Sequence, residues 1–184
     1  YSIIENANIT IEGIEGSDLI ATDGADKKTM LAYKGEALAL RAMIYFDMVR
    51  FFGDIPMKME STNPDLSNVY LGKTDRDVIM DRLILDLEEA ITYLPWAGES
   101  GYTTERATKG YAHALLANIA LTRAGWNIRE TAKEGYVTAA FSYASYPTQR
   151  CSDEKRKEMY ELALLHLGEI MTSGRHQLNP SVED

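Results

Sequence analysis

Ala32–Ile44 reads AYKGEALALRAMI, and Ala107–Ile119 reads ATKGYAHALLANI. At a constant offset of 75 they share Ala32/Ala107, Lys34/Lys109, Gly35/Gly110, Ala37/Ala112, Ala39/Ala114, Leu40/Leu115, Ala42/Ala117 and Ile44/Ile119. Eight of 13 positions are identical, where unrelated segments of ordinary composition match at about one. The segments that follow align as well, through Leu85/Leu165, Leu87/Leu167 and Glu89/Glu169. Each unit is therefore a helix pair, and the chain is a solenoid-type array of such pairs. Gly35, Ala39 and Ala42 fall at i, i+4 and i+7, as do Gly110, Ala114 and Ala117. Small residues on one face let a second helix approach closely. A tetratricopeptide unit repeats at about 34 residues. The longer period here requires long loops between helices, and such loops on a rigid scaffold are where binding concentrates. The reading is an all-α, tetratricopeptide-like helical-repeat array with long inserted loops, in one domain spanning residues 1–184.

The rest of the chain fits around these two segments. Tyr1–Ile14 carries Tyr1, Ile4, Ala7 and Ile11 at helical spacing, and Gly13 and Gly16 end it. A polar link, Ser17–Lys28, follows. Leu31–Phe52 reads as a long helix, apolar nearly all round and therefore buried between neighbours. Gly53-Asp54-Ile55-Pro56 stops it, and Ile55–Met59 is expected to be extended. Asp75–Leu94 is amphipathic, with Ile79, Leu83, Leu87, Ala90, Ile91 and Leu94 in one stripe, Thr74 as its cap and Pro95 as its stop. Arg106–Gly125 is the next helix. Trp126–Arg150 reads as irregular, and no strand-rich region is evident. Ser152 is expected to cap a last helix running to about Ser173, with Gly174 as its stop.

The formal net charge of −9 argues against phosphate backbones and anionic lipid as partners. A single cysteine, Cys151, excludes an internal disulfide and a thiolate metal cluster. No stretch approaches the roughly 20 apolar residues that span a bilayer. The chain opens at Tyr1 with neither a start methionine nor a signal peptide, so a longer precursor is expected.

Catalytic and metal chemistry find little support. His113, His166 and His176 lie in no metal-ligand spacing and read as packed or surface histidines. There is no G-x-S-x-G, no P-loop and no G-x-G-x-x-G. Asp81, Asp86, Glu88 and Glu89 read as a solvated helix face. Asn8-Ile9-Thr10 matches a glycosylation acceptor, a pattern short enough to recur by chance. No cofactor, metal or catalytic residue is assigned. Arg41, by contrast, lies inside the most apolar helix. A buried guanidinium needs a carboxylate, and Asp86 and Glu89 are the candidates.

Trp96 and Trp126 both follow helices, at loop starts. Sugars stack their C–H faces on such rings, so Trp96, Tyr102, Trp126 and Asn127 are the candidate ligand contacts. Arg129 is a further hydrogen-bond donor near Trp126. The competing role for each tryptophan is to plug the end of a helix pair.

Four motifs in order carry a family resemblance. Gly35–Pro56 (GEALALRAMIYFDMVRFFGDIP) resembles the SusD/RagB signature of Arg-Ala, Tyr-Phe and Phe-Gly-Asp-x-Pro. Asp77–Pro95, Arg106–Leu121 and Tyr160–Pro180 are similar to the family's following helix, its next repeat, and its last helix with the turn after it. The resemblance implies a non-catalytic lipoprotein, lipid-anchored on the outer face of the outer membrane in Bacteroidetes-type bacteria. Such a protein acts as a lid on a SusC-like TonB-dependent transporter and binds glycans, or sometimes peptides, for import. It also implies a protein considerably longer than this chain, with the lipidated N-terminal cysteine and the C-terminal half outside it. Membrane attachment would come only through that anchor. No ligand residue carries over, because ligand contacts lie outside the shared motifs. The alternative is an intracellular helical-repeat scaffold that binds a peptide or protein partner.

Overall fold

The computed structural model describes residues 1–176. Its elements, in order, are α1 (Ser2–Glu15), a 3-10 turn (Asp18–Ile20), α2 (Ala25–Phe52), α3 (Arg76–Tyr93), α4 (Lys109–Ala124), β1 (Asn127–Ile128), β2 (Val137–Thr138), β3 (Thr148–Arg150) and α5 (Asp153–Ser173). The helical-repeat architecture holds. Lys34 meets Glu89 while Arg41, further along α2, meets Asp86, so α2 and α3 run antiparallel. His113 meets His166, and the carbonyl of Arg123 accepts from the thiol of Cys151, just before α5, so α4 and α5 do the same. The core lies between the two pairs. Leu38, Ala42 and Tyr45 of α2, Ile79, Leu83 and Leu87 of α3, Leu116 and Ile119 of α4, and Met159 and Ala163 of α5 are all buried in it.

The caps explain most boundaries. Ser152 accepts from the N–H of Lys155, and Gly174 closes α5 in the left-handed region at φ 63°. Asp75, not Thr74, caps α3 by accepting from the N–H of Asp77. The N–H of Thr74 is instead given to the carbonyl of Ile55, and that single antiparallel bridge is all that forms of the expected strand at Ile55–Met59. Thr108 caps α4, which leaves Arg106 and Ala107 outside the helix. At the other extreme, α2 begins at Ala25 rather than Leu31. Lys27 and Lys28 are good helix formers, and Thr29 bonds back to the carbonyl of Ala25. At the far end of α2, Phe51 and Phe52 are exposed, contrary to an apolar run buried all round. Gly53 then turns the chain at φ 73°. A Cβ there would lie 2.2 Å from the Arg76 guanidinium, which reaches back to Asp54 at 2.9 Å. This is the physical content of the Phe-Gly-Asp signature: it ties the end of α2 to the start of α3.

The two repeat glycines are used alike. A Cβ on Gly35 would come within 3.0 Å of Leu94, and one on Gly110 within 2.7 Å of His176. Each glycine thus admits the residue that leaves the second helix of its own pair. The small-residue face does not extend further in the second unit, because Ala114 is exposed while its counterpart Ala39 is buried. The same asymmetry marks the second helices. Tyr160, Leu164, Leu167 and Met171 form an exposed stripe on α5. The corresponding α3 stripe includes Met80, Ile84 and Leu87, all buried in the core.

Arg41 is 2% exposed and Asp86 is 1% exposed, so Asp86 belongs to the core rather than to a solvated face. The guanidinium donates to Asp86 Oδ2 from Nε at 2.9 Å and from Nη2 at 2.7 Å. Its Nη1 donates to Asn8 Oδ1 at 2.9 Å and to the carbonyl of Met59 at 3.1 Å. Asn8 in turn donates to the carbonyls of Lys58 and Glu60. That spends its amide inside the fold and rules it out as a glycan acceptor. Glu89, the other candidate partner, holds Lys34 at 2.6 Å.

At the position of α5 equivalent to Asp86 stands His166. Its Nδ1 lies 2.8 Å from the Nδ1 of His113, and both rings are buried. One nitrogen must donate and the other accept, so the bond cannot form with both rings protonated. Burial, then the neighbouring imidazole, pushes His113 down from 6.5 to about 4; burial also lowers His166, against the nearby Glu169.

Two outcomes follow from these contacts. Asp86→Ala strands a buried guanidinium and should lower unfolding free energy by about 3–5 kcal/mol, measured by urea titration. The double change Arg41→Met, Asp86→Leu should cost less than the single one. A single-variant loss under about 1 kcal/mol contradicts the assigned role. For the histidines, a folded value below the unfolded 6.5 means that the unfolded chain takes up protons first as pH falls. Stability should therefore drop between about pH 6.5 and pH 4, by at most about 1.4 kcal/mol per pH unit from His113. The double variant His113→Leu, His166→Leu should flatten this part of the stability–pH curve; an unchanged curve contradicts it.

Candidate functional site

The segment between α4 and α5 is not irregular throughout. It folds a three-stranded antiparallel sheet in the order β1-β3-β2, with Asn127 opposite Gln149, Ile128 opposite Thr148, Val137 opposite Arg150 and Thr138 opposite Gln149. Strands of two or three residues are too short to show alternation in sequence. Because successive side chains alternate across a strand, the register sorts them into two faces. Gln149 points inward and is buried. It donates to the carbonyl of Lys133 and the hydroxyl of Thr138, and accepts from the N–H of Lys133. Trp126, Ile128, Thr148 and Arg150 point the other way.

On that outer face the Arg150 guanidinium sits 5.2 Å from the centre of the Trp126 ring. Arg150 is held there by Asp153 at 2.7 Å and by the carbonyl of Cys151 at 3.0 Å. Trp126 is 44% exposed. It therefore offers surface to solvent while its orientation is fixed from one side. Ile128, Phe141, Tyr143 and Tyr146 of the same segment are also exposed. Asn127 lies beside Trp126 on the opposite sheet face, its amide turned to the carbonyl of Gly125 at 3.3 Å.

One buried ion pair and a half-buried one fasten this segment to the start of α3. Arg129 donates to Asp77 Oδ2 at 2.7 Å, and Tyr136 donates to the same oxygen at 2.6 Å. Lys133 pairs with Asp75 at 2.8 Å, and Arg123 of α4 donates to Asp81 at 3.0 Å. Burial alone would raise the Asp75 carboxyl, but the Lys133 ammonium and the N–H of Asp77 hold it below the ordinary carboxylate value. Burial, then the bond to Asp77, raises the Tyr136 phenol. Arg129 is thus spent on the scaffold and is no ligand donor, contrary to its sequence reading. What it supplies is rigidity: the sheet is docked before any ligand arrives.

The other two candidates lie elsewhere. Trp96 stacks on His113 with ring centres 5.7 Å apart and planes at 15°, and its ring would lie 3.2 Å from a Cβ on Gly110. It plugs the end of the second helix pair. Tyr102 is 5% exposed beneath the Arg106 guanidinium, 3.9 Å from its ring centre. The structure brings Trp96 and Tyr102 into one turn near the start of α4 and places Trp126 and Asn127 just past its end. The 16 residues of α4 separate the two pairs by about 24 Å. Arg150 was missed from sequence because its place over Trp126 depends on the register of the sheet.

Among the described residues, no group of three or more His, Cys, Asp or Glu could hold a metal ion, and no helix is long and apolar enough to cross a membrane.

The family model for SusD-like proteins, described as starch-binding and associating with the outer membrane, matches residues 1–121. A SusD-like protein of Bacteroides ovatus is 30% identical over 145 residues, covering 79% of this chain and 25% of that protein. The crystal structure of a SusD homologue from Bacteroides thetaiotaomicron superposes with a TM-score of 0.69 at 26% identity, covering 96% of this chain and 28% of that one. A laminarin-binding SusD-like protein superposes with a TM-score of 0.55 at 26% identity, over 66% of this chain and 24% of its own. The chain spans about a quarter of the length of the relatives it matches. With the family model covering well over half of its residues, the chain belongs to the SusD-like family.

Proposed function

We propose that this chain is one helical-repeat part of a longer, non-catalytic protein that binds glycans at the bacterial cell surface. The observation that carries this is Trp126. It is a partly exposed indole on a sheet held to the scaffold by the buried Arg129–Asp77 pair and by Lys133–Asp75, with Arg150 behind it and further exposed aromatics in the same segment. An aromatic surface fixed in advance binds a sugar face without a large ordering cost. The family's description and the laminarin-binding relative support carbohydrate as the ligand class. In the same reading the whole protein sits on the outer face of the outer membrane through an N-terminal lipid anchor, and hands its ligand to a SusC-like TonB-dependent transporter.

Stacking on an aromatic ring is worth roughly 1–3 kcal/mol, by analogy with nucleic-acid bases. Trp126→Ala in the full-length protein should therefore weaken oligosaccharide binding about 5- to 150-fold with helical content unchanged. Isothermal titration with maltoheptaose, laminarioligosaccharides and xyloglucan oligosaccharides reads this out. Unaltered affinity for every glycan that the parent protein binds would remove Trp126 from the site.

A further inference from the structure

At the other end of α4, the start of α2, the end of α3 and the 95–106 link enclose a cleft of about 230 Å³. Tyr33, Tyr93 and Tyr102 line it, with Arg106, Lys28 and Ser100 around them. The walls are held by contacts internal to the protein. Arg106 forks onto Glu36 with Nε at 2.8 Å and Nη2 at 2.7 Å. Its guanidinium is stacked between Tyr102 at 3.9 Å and Tyr33 at 5.6 Å. The Tyr93 hydroxyl meets Glu89 at 3.3 Å, and the Lys34 ammonium lies 5.8 Å from its ring centre.

Packing alone does not account for this lining. Tyr33 is 44% exposed, and its repeat counterpart is Thr108, which caps α4. The repeat therefore has no need of an aromatic residue there. Lys28 forms no ion pair among the described residues, so its ammonium is free to serve as a donor. Ser100, at the rim, holds a left-handed φ of 51° between Gly98 and Gly101, whose φ angles are also positive. A small concave site with aromatic walls and a few polar groups at its edge is a ligand site by its chemistry. Its volume falls below that of drug-sized pockets and suits roughly one sugar ring.

We propose that this cleft is a second carbohydrate subsite, which takes a single pyranose unit. The sugar's C–H face lies on Tyr33, and Lys28 and Ser100 bond its hydroxyls. Arg106 is a positioning residue: it orients Tyr33 and Tyr102 and does not itself touch the sugar. The proposal rests on the glycan-binding reading above, and its test separates the two.

The full-length protein and its Tyr33→Ala, Tyr33→Phe and Trp126→Ala variants are titrated with maltoheptaose, laminarioligosaccharides and xyloglucan oligosaccharides. Tyr33→Ala should weaken binding of at least one of them by 5-fold or more with unchanged far-ultraviolet circular dichroism and an unchanged unfolding midpoint. Tyr33→Phe, which keeps the ring, should stay within 2-fold of the parent protein. Lys28→Ala, at an exposed position that folding does not depend on, should weaken the same glycan. Parent-like affinity in both Tyr33→Ala and Lys28→Ala, alongside weakened Trp126→Ala, overturns the cleft while leaving the glycan reading intact. A parent protein that binds none of the three glycan classes overturns both.

Discussion

The Arg41–Asp86 pair is the constraint on which the rest of the fold depends. A guanidinium taken out of water is costly, and it is tolerated only where each of its donors is met. Here two donors meet Asp86 on α3, and the third group reaches Asn8 on α1 and the backbone of Met59 in the following loop. Four segments are thereby fixed at one point. Tyr45, one turn further along α2, extends this by accepting from the N–H of Lys58 and donating to its carbonyl. The loop after α2 therefore has its course set by buried polar groups rather than by secondary structure of its own. The same logic recurs in the second pair with weaker chemistry, where His113 and His166 occupy the interface between α4 and α5.

Much of this was legible in sequence because helices write their contacts at a fixed period. The eight identities mark two first helices, and the charged residue inside an apolar run marks a buried ion pair. Even the choice of partner had a signal: Ile79, Leu83, Asp86 and Ala90 recur at i, i+4, i+7 and i+11, so Asp86 lies on the apolar stripe while Asp81 and Glu88 do not. Reading all four carboxylates as one solvated face overlooked that phase. The histidine pair was not legible, since 53 residues separate its members and no motif joins them. The small sheet was not legible either. Its strands of two or three residues are too short to stand out in sequence, and its outer face exists only once the register of the sheet brings Arg150 over Trp126.

The site residues divide along the same line. Trp126 was found because a tryptophan at a loop start is conspicuous, and its exposure fits a contact role. Trp96, equally conspicuous, is packed against His113 and Gly110. Sequence could not separate the two, because the difference lies in what stands across from each ring. Tyr33 went unnoticed because it sits inside a helix whose other residues are committed to packing. Only the approach of the 95–106 link turns it into the wall of a cleft. The exposed stripe on α5 points the same way: its counterpart on α3 is covered by the next pair, while nothing among the described residues covers it.

The central claim is that a rigid repeat scaffold carries glycan contacts on its loops and on the exposed rims of its helices, not in its packed core. Hydrogen–deuterium exchange of the full-length protein, with and without a bound oligosaccharide, tests it most directly. The account predicts new protection in residues 126–150, in the 95–106 link and at the start of α2, with the buried turns of α2 to α5 unchanged. Protection confined to regions outside these segments, with all three as open as in the free protein, would contradict it.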